Sequence, residues 1–189
     1  MKWNNVKPDI TASHINEVIT GWSAIDMAKL INSTKDCPLI IFPDHVRQKI
    51  IAHLKTKKVE LGGLLVGSVA SIDDLNEGPT IIVIIDSVES KEFDSTSVSL
   101  SMSSSVWQSA NKCSNAKTFV VGWYHSHPNL GAFFSGVDRK TQKDFFNSTY
   151  NIGLVIDPIR NEEKWFIGPD SIEVIPSYVR SELYGLAMV

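Results

Sequence analysis

The sequence has few cysteines and no long apolar run. Cys37 and Cys113 are the two cysteines among 189 residues, and they form no CxxC or paired pattern. A disulfide framework is therefore not expected, and both thiols are expected to be reduced. The strongest apolar runs, such as residues 81–85, are far too short to span a bilayer, and the first residues contain no apolar segment typical of secretory signals. These absences predict a soluble, cytoplasmic protein with no membrane partner.

A large excess of one charge is also lacking. The formal net charge is −3, so no positive field attracts a nucleic-acid backbone. The sequence contains no internal repeat and no low-complexity tract. Its length is that of one domain with an appended segment, and it allows a substantial core. A nucleic-acid partner is therefore not expected.

Residues 1–36 are predicted to form an N-terminal extension with one amphipathic helix, and residues 37–189 the main domain. Apolar residues recur at helical spacing from Ile15 to Ala28, and Ser13 is suited to cap the start of that helix. The helix is expected to end near Asn32. Its apolar stripe either docks on the main domain or faces another chain, and docking is favoured because an exposed stripe of that size promotes aggregation.

Strands and helices alternate along the main domain. Strands are predicted at residues 39–42, 61–69, 80–88, 118–127, 152–156 and 164–167, and the strand at 80–88 is expected to be buried on both faces. Helices are predicted after Pro43 and at residues 105–112, 135–147 and 178–186. Residues 97–100 fit the edge of a strand. The pattern indicates an α/β or α+β domain in which helices pack against one sheet.

Two of the five histidines, His125 and His127, lie two residues apart at the end of a predicted strand that Pro128 stops. Side chains at this spacing point to the same face of a strand, about 7 Å apart along the backbone. Asp138 follows after a loop, at the third position of a helix that Ser135 would cap, where the helix dipole favours an ionised carboxylate. Two imidazoles and a carboxylate form a ligand set for one catalytic zinc ion that leaves a position open for water.

Catalysis at such a site benefits from a positioned base. Glu60 is the best candidate, because it is a charged residue directly before the apolar, glycine-rich strand at residues 61–69. Its carboxylate can take a proton from the water and pass it to a leaving amine. Ser135 can donate a hydrogen bond to the oxygen that becomes negative in the tetrahedral intermediate.

Structural roles compete with these assignments. The histidines could be buried core residues and Glu60 a solvated strand end, but the joint spacing of the histidines, the proline, the serine and the aspartate is improbable by chance. Ser135 and Asp138 also resemble a plain helix start. Capping is compatible with ligation by Asp138, whereas it competes with the catalytic role of Ser135. Three aromatic residues, Trp123, Phe133 and Phe134, either line the cleft and contact the substrate or belong to the core.

Glu60, the segment His125-Ser126-His127-Pro128 and the segment Ser135-Gly136-Val137-Asp138 together resemble the JAMM motif of the MPN+/JAB metalloprotease family, which reads E, then HxHP, then SxxD. The similarity extends to residues 122–124, 141–142 and 157–159, where it is greatest to the deubiquitinases of the proteasome lid and the COP9 signalosome. It covers residues 37–175. A compact chain without a long C-terminal helical extension is more similar to bacterial members that act alone.

The resemblance implies a cytidine-deaminase-like fold, which is a curved mixed β-sheet flanked by helices. It also implies a hydrolase in which His125, His127 and Asp138 hold one Zn²⁺ ion that activates a water, with Glu60 as acid and base and Ser135 as oxyanion donor. The implied reaction is cleavage after the C-terminal glycine of ubiquitin or a ubiquitin-like protein, from a lysine side chain or from a precursor. Conjugates of such modifiers, with E1-like and E2-like proteins, are the implied partners, and residues 89–97 are implied to cover the modifier's tail.

Two other functions are compatible with the motif. A related peptidase with the same zinc site would trim sulfur-carrier proteins or short peptides, and substrate preference separates it from an isopeptidase. A non-catalytic MPN scaffold is disfavoured, because such relatives typically lose the ligands that this chain retains.

Overall fold

A computed structural model describes residues 12–18, 22–34, 36–71, 80–90 and 104–181. The helices are α1 (Ala24–Ile31), α2 (Asp44–Leu54), α3 (Ser104–Lys112) and α4 (Gly136–Phe145), with short 3-10 turns at Ile15–Glu17 and Pro176–Tyr178. The strands are β1 (Ser13–His14), β2 (Leu39–Ile41), β3 (Gly62–Ser71), β4 (Thr80–Glu89), β5 (Phe119–Ser126), β6 (Ile152–Asp157), β7 (Glu162–Ile167), β8 (Ile172–Glu173) and β9 (Val179–Arg180). None of the described helices is long and apolar enough to cross a membrane.

The described strands form one mixed sheet. Their order is β8-β7-β6-β5-β3-β4-β2-β9, and β1 pairs with the end of β3. The central strand β3 is antiparallel to β4 and β5, and β5 is parallel to β6. The register of β3 shifts against β5 between Leu65 and Val66 and against β4 between Val66 and Gly67. Such bulges bend a strand, and the sheet curls into a half-barrel. The predicted α/β fold, a curved mixed sheet flanked by helices, is thereby confirmed.

Helices cover both faces of the sheet and bury two hydrophobic cores. On one face α2 packs through Val46, Ile50 and Leu54, which recur at four-residue spacing and are fully buried. On the other face α3 contributes Val106 and Ala110 to a core rich in aromatic residues. Full burial of one such aliphatic side chain is worth about 1.5–3 kcal/mol. Because β5 lies between the two cores, the position of the strand that carries the histidines is fixed from both sides.

The strand β4 is buried on both faces over its first half, and the prediction is wrong for its second half. Ile81, Ile82 and Ile84 are fully buried, whereas Ile85 is 40% exposed. The neighbouring strand β2 pairs with β4 at residues 81–83. Among the described residues, the second half of β4 therefore has no neighbouring strand on the side where β2 pairs with its first half.

The helix in the N-terminal segment is shorter than predicted. Ser13 lies in β1, which pairs with the end of β3, and α1 begins after Ser23, whose Oγ accepts the Asp26 amide at 3.2 Å. The predicted helix start and N-cap are wrong because pairing with the sheet overrides the apolar periodicity there. The predicted end near Asn32 is confirmed. Residues 19–21 lie outside the described residues.

The expected docking of this segment on the main domain is confirmed. Ile15 and Leu30 are buried against Leu39, Ile41 and Ile81 in a third, smaller core. Part of the apolar surface of α1 does not dock, because Ile25 and Ile31 each have more than half of their surface exposed. The division of the chain before Cys37 stays a prediction.

The predicted C-terminal helix is wrong over its first residues. Tyr178 ends a 3-10 turn, and Val179–Arg180 forms β9 in parallel with β2. The Phe42 amide donates to the Arg180 carbonyl at 2.7 Å, and the Arg180 guanidinium pairs with Asp26 of α1. This segment therefore pairs with the edge of β2 and becomes part of the sheet. Residues 182–186, the proposed strand edge at 97–100 and most of the segment 89–97 lie outside the described residues.

Candidate metal centre

His125 lies at the end of β5, in the middle of the sheet, and His127 directly follows that strand. Gly62 of β3 and Val155 of β6 flank His125. A Cβ atom at Gly62 would lie 2.5 Å from the Tyr124 carbonyl oxygen, so glycine permits this close pairing of strands. The two imidazoles point to the same side, as predicted, and their Nε2 atoms lie 3.2 Å apart.

Asp138 reaches the histidines from the first turn of α4. Its Oδ1 atom lies 3.2 Å from His125 Nε2, and its Oδ2 atom lies 3.6 Å from His127 Nε2. Ser135 caps the helix and Asp138 is its third residue, as predicted. The two residues form a capping box, in which each side chain accepts the amide of the other residue. The helix start therefore fixes the position of the carboxylate.

These three side chains form a donor set that fits a zinc ion. Their ligand atoms all lie within 4.8 Å of one another, and all three residues are buried. Burial lowers the pKa of His127, and the neighbouring His125 adds to the effect. Burial alone would raise the pKa of Asp138, but hydrogen bonds with His125 and Ser135 outweigh it and lower that pKa below its usual value. A neutral His127 and an ionised Asp138 are the forms that bind zinc.

The ring nitrogens opposite the site are buried. Nδ1 of His125 has no hydrogen-bond partner among the described residues, whereas burial lowers the pKa of His127 and a backbone hydrogen bond with Gly131 opposes that shift. Each Nδ1 can therefore carry the ring proton while Nε2 presents its lone pair to a metal.

Glu60 lies at the border of this site. It precedes β3, and its Oε1 atom is 3.9 Å from His127 Nε2. The side chain is 30% exposed, so it contacts solvent and also lies next to the proposed metal ligand His127. Burial raises the pKa of Glu60, although the charge on His125 opposes the shift. A carboxylate with a raised pKa next to a metal site is suited to accept and return a proton.

The hydroxyl of Ser135 takes part in the helix cap and is the proposed oxyanion donor. Its oxygen accepts the Asp138 amide at 3.2 Å through a lone pair. That bond uses a lone pair and not the hydroxyl hydrogen, but a side-chain hydrogen bond from Ser135 also helps to lower the pKa of Asp138. The Asp138 carboxylate therefore competes with an oxyanion for this hydrogen.

The three aromatic residues near the motif have different environments. Trp123 is fully buried and Phe134 is 6% exposed, so both are core residues. The expectation that these two contact a substrate is corrected, because the helices α3 and α4 cover this face of the sheet. Phe133 is 44% exposed, and its ring centroid lies 4.7 Å from that of His127. Of the three, Phe133 is the residue at the surface of the site.

Asp157 is a structural residue to which the sequence reasoning gave no role. Its carboxylate is buried and accepts four backbone N–H groups, those of Asn129, Gly131, Ile159 and Arg160, at 2.8–3.1 Å. Burial alone would raise the pKa of Asp157, but these bonds lower it to about 2. They join the loop after the histidines to the turn after β6. The available signal was an acidic residue directly after an apolar strand.

Gln142 is the second residue without a predicted role. It is fully buried on α4, and its Oε1 atom accepts the Trp123 indole N–H at 2.6 Å. The available signal was its spacing of four from Asp138, which places both side chains on one face of the helix.

Comparison with known proteins agrees with this geometry. The family model described as prokaryotic homologs of the JAB domain matches residues 43–167. The chain belongs to the JAB-domain family. The matched range runs from the start of α2 to the end of β7 and contains every residue of the candidate metal centre. The resemblance to the MPN+/JAB family seen in the motif is confirmed.

Several curated proteins are similar to this JAB domain. The 26S proteasome non-ATPase regulatory subunit 14 of Drosophila melanogaster is 32% identical over 138 residues, which are 67% of this chain and 42% of that protein. The ubiquitin carboxyl-terminal hydrolase RPN11 of Saccharomyces cerevisiae is 49% identical over 43 residues, 22% of this chain and 14% of that protein. The COP9 signalosome complex subunit 5 of Drosophila melanogaster is 48% identical over 44 residues, 22% and 13% of the two chains. The chain thus spans less than half of these relatives' length.

A solved structure has the same fold. The solution structure of protein DSY2949 from Desulfitobacterium hafniense superimposes with a TM-score of 0.57 at 22% identity, over 76% of this chain and 94% of that one. At this identity the likeness shows the fold alone.

Proposed function

We propose that this JAB domain is a zinc-dependent metallopeptidase that cleaves the bond after the C-terminal glycine of ubiquitin or a ubiquitin-like protein. The bond is an isopeptide to a lysine or the peptide bond of a precursor. The observation that carries the proposal is the convergence of His125, His127 and Asp138, with Glu60 at their edge. Burial of so many polar and charged groups together is costly, and a binding scaffold has no need of it.

Each residue has a defined part in the proposed reaction. His125, His127 and Asp138 would hold the ion, which when bound polarises a water molecule and the scissile carbonyl. Glu60 accepts a proton from the attacking water and passes it to the leaving amine, and its raised pKa suits both transfers. Ser135 donates its hydroxyl hydrogen to the carbonyl oxygen as that oxygen becomes negative.

The substrate class is supported by relatives and by one exposed side chain. RPN11 is named a ubiquitin carboxyl-terminal hydrolase. Phe133 gives the site an apolar surface beside His127, against which the chain next to the scissile bond can pack.

Cleavage assays test the proposal directly. The whole chain, loaded with one equivalent of Zn²⁺, is incubated with lysine-linked diubiquitin, with a ubiquitin precursor that extends past its C-terminal glycine, and with an extended sulfur-carrier protein. We expect cleavage of the ubiquitin substrates that is lost with a chelator and in Glu60→Gln. Glu173→Gln, which changes an exposed glutamate on β8, is the matched control and should leave cleavage unchanged.

Three outcomes contradict the proposal in different ways. Cleavage that survives both the chelator and Glu60→Gln excludes the zinc-dependent chemistry. Cleavage confined to the sulfur-carrier extension assigns the enzyme to the trimming peptidases. Tight zinc binding without cleavage of any of these substrates favours a scaffold.

A further inference from the structure

Gln142 is buried on α4, one helical turn after the proposed ligand Asp138. Its side-chain amide makes three hydrogen bonds. Oε1 accepts the Trp123 indole N–H at 2.6 Å, and Nε2 donates to the backbone carbonyls of Asn151 at 3.0 Å and Phe146 at 3.3 Å. Both donor positions of the amide are thus occupied. A buried polar group with all of these partners is strongly held in one orientation.

The chemistry of the partners fixes the direction of this amide. An indole N–H can donate and not accept, and a carbonyl can accept and not donate. Oε1 must therefore face Trp123, while Nε2 faces the main chain. Gly153 of β6 leaves room for this contact, because a Cβ atom there would lie 3.0 Å from Gln142 Oε1 and 3.2 Å from Trp123 Nε1.

Trp123 connects Gln142 to the proposed ligand His125. The two rings are nearly parallel, with centroids 4.6 Å apart and an 8° angle between their planes. Phe146 stacks with the indole at 5.8 Å and 13°. Nδ1 of His125 has no hydrogen-bond partner among the described residues, so the plane of this imidazole is held by Asp138 at Nε2 and by ring contacts. The contact with Trp123 is the shortest of those contacts.

We infer that Gln142 is a positioning residue for the metal ligands. It acts on His125 through Trp123, and on Asp138 through the helix that both residues share. The bond from Trp123 to Gln142 joins β5 to α4, and so it sets the distance between the two ligands, His125 Nε2 and Asp138 Oδ1, which is 3.2 Å. Without that bond the indole can turn and the first turn of α4 can shift. The inference rests on the proposed metal centre.

The variant Gln142→Met tests the inference. Methionine is unbranched and of similar length, but its sulfur is only a weak acceptor for the indole N–H and it cannot donate to the two carbonyls. Gln108→Met is the matched control, because it makes the same change at an exposed position of α3. Two properties are measured with the metal alone. They are the visible absorption of the Co²⁺-substituted chain, which depends on ligand geometry, and the Zn²⁺ affinity in competition with a chelator.

We expect Gln108→Met to match the wild type in both measurements. In Gln142→Met we expect altered Co²⁺ absorption bands and a zinc affinity lower by about 10-fold to 100-fold. Both variants are compared at a temperature at which circular dichroism shows a folded chain. A wild-type spectrum and wild-type affinity in folded Gln142→Met overturn the inference, even if its melting temperature is lower, because Gln142 then acts on stability alone.

A second variant keeps the inference testable if Gln142→Met does not fold. Trp123→Phe retains a ring beneath His125 and removes the N–H that Gln142 accepts, so we expect it to alter the Co²⁺ bands as well. An unchanged spectrum in Trp123→Phe overturns the inference. A wild-type chain that binds neither ion contradicts the metal centre itself, which distinguishes failure of the proposed function from failure of the positioning role.

Discussion

Ser135 and Asp138 bind each other's backbone amides at the start of α4. The Ser135 amide donates to Asp138 Oδ2 at 2.7 Å, and the Asp138 amide donates to Ser135 Oγ at 3.2 Å. The other carboxylate oxygen, Oδ1, lies 3.2 Å from His125 Nε2. One pair of side chains thus begins the helix and directs a proposed metal ligand.

Ser135→Gly and Ser135→Thr separate the cap from the hydroxyl donor. Glycine is tolerated at an N-cap, so we expect the free energy of unfolding to fall by a few tenths of a kcal/mol. It has no donor, so we expect kcat to fall by about 100-fold. Threonine retains both functions and should restore kcat. Chemical denaturation and single-turnover kinetics provide the measurements, and a Ser135→Gly enzyme with the wild-type kcat contradicts the donor role.

The acid limb of the pH profile of kcat/KM should report the ionisation of Glu60. Burial raises the pKa of Glu60, and the charge of a bound zinc ion would oppose that shift. The base acts in its ionised form, so activity is present above the resulting pKa and falls as the pH drops through it. The metal content is measured at each pH, because the ligands also titrate. In Glu60→Gln we expect normal zinc binding without cleavage, and residual activity with the same acid limb would assign the limb to another group.

Phe133→Ala should weaken substrate binding without affecting the metal. The side chain is 44% exposed and lies beside His127, so its removal takes apolar surface from the mouth of the site. We expect a several-fold rise in KM for diubiquitin, with zinc affinity and melting temperature close to those of the wild type. Phe145→Ala removes a phenylalanine that is 63% exposed at the end of α4 and is the control. Equal KM values in the two variants contradict a role for Phe133.

Asp157→Asn should destabilise the loop that follows the histidines. The Gly131 amide donates to Oδ2 of Asp157, and three other amides donate to Oδ1. Asparagine retains one acceptor oxygen, so at least one buried amide loses its partner. We expect the free energy of unfolding to fall by about 1–3 kcal/mol, as measured by chemical denaturation. Asp144→Asn changes an exposed aspartate of α4 and should have a smaller effect. Equal losses in the two variants contradict this account of Asp157.

The lowered pKa of Asp157 also predicts part of the loss of folding stability at acidic pH. The pKa of Asp157 is lowered to about 2 in the folded chain, below the value of about 3.9 for an unperturbed aspartic acid. A lowered folded-state pKa contributes stability that is present above the unfolded-state pKa and is lost as the pH falls through the folded-state value. We expect this contribution to disappear between about pH 4 and about pH 2 in the wild type and to be absent in Asp157→Asn. Parallel stability curves for the two proteins across this range would contradict the assignment.

Local patterns were sufficient to predict most of the elements around the site. Pro43 with the buried residues Val46, Ile50 and Leu54 predicted α2, and Pro128 marked the end of β5. The spacing of Ser135 and Asp138 predicted the helix start and the position of the carboxylate. In each case a short stretch of sequence determines the geometry, so it could be seen without the rest of the chain.

Long-range contacts account for what the sequence did not show. Ser13 and Val179 lie in stretches with helical character, yet both join the sheet, because β3 and β2 offer them pairing edges. From the sequence, Trp123 could belong to the cleft or to the core, and its burial depends on helices that are distant in sequence. The partners of Gln142 and Asp157 are likewise brought together by the fold, and in the sequence each of these two is a single polar residue whose burial is not visible.

Anomalous diffraction at the zinc edge, from crystals of the chain grown with one equivalent of Zn²⁺, tests the central claim most directly. The account predicts one peak, bonded to Nε2 of His125, Nε2 of His127 and the carboxylate of Asp138, with an additional position left for solvent. The absence of a peak, or a peak elsewhere while these three side chains point apart, would contradict it.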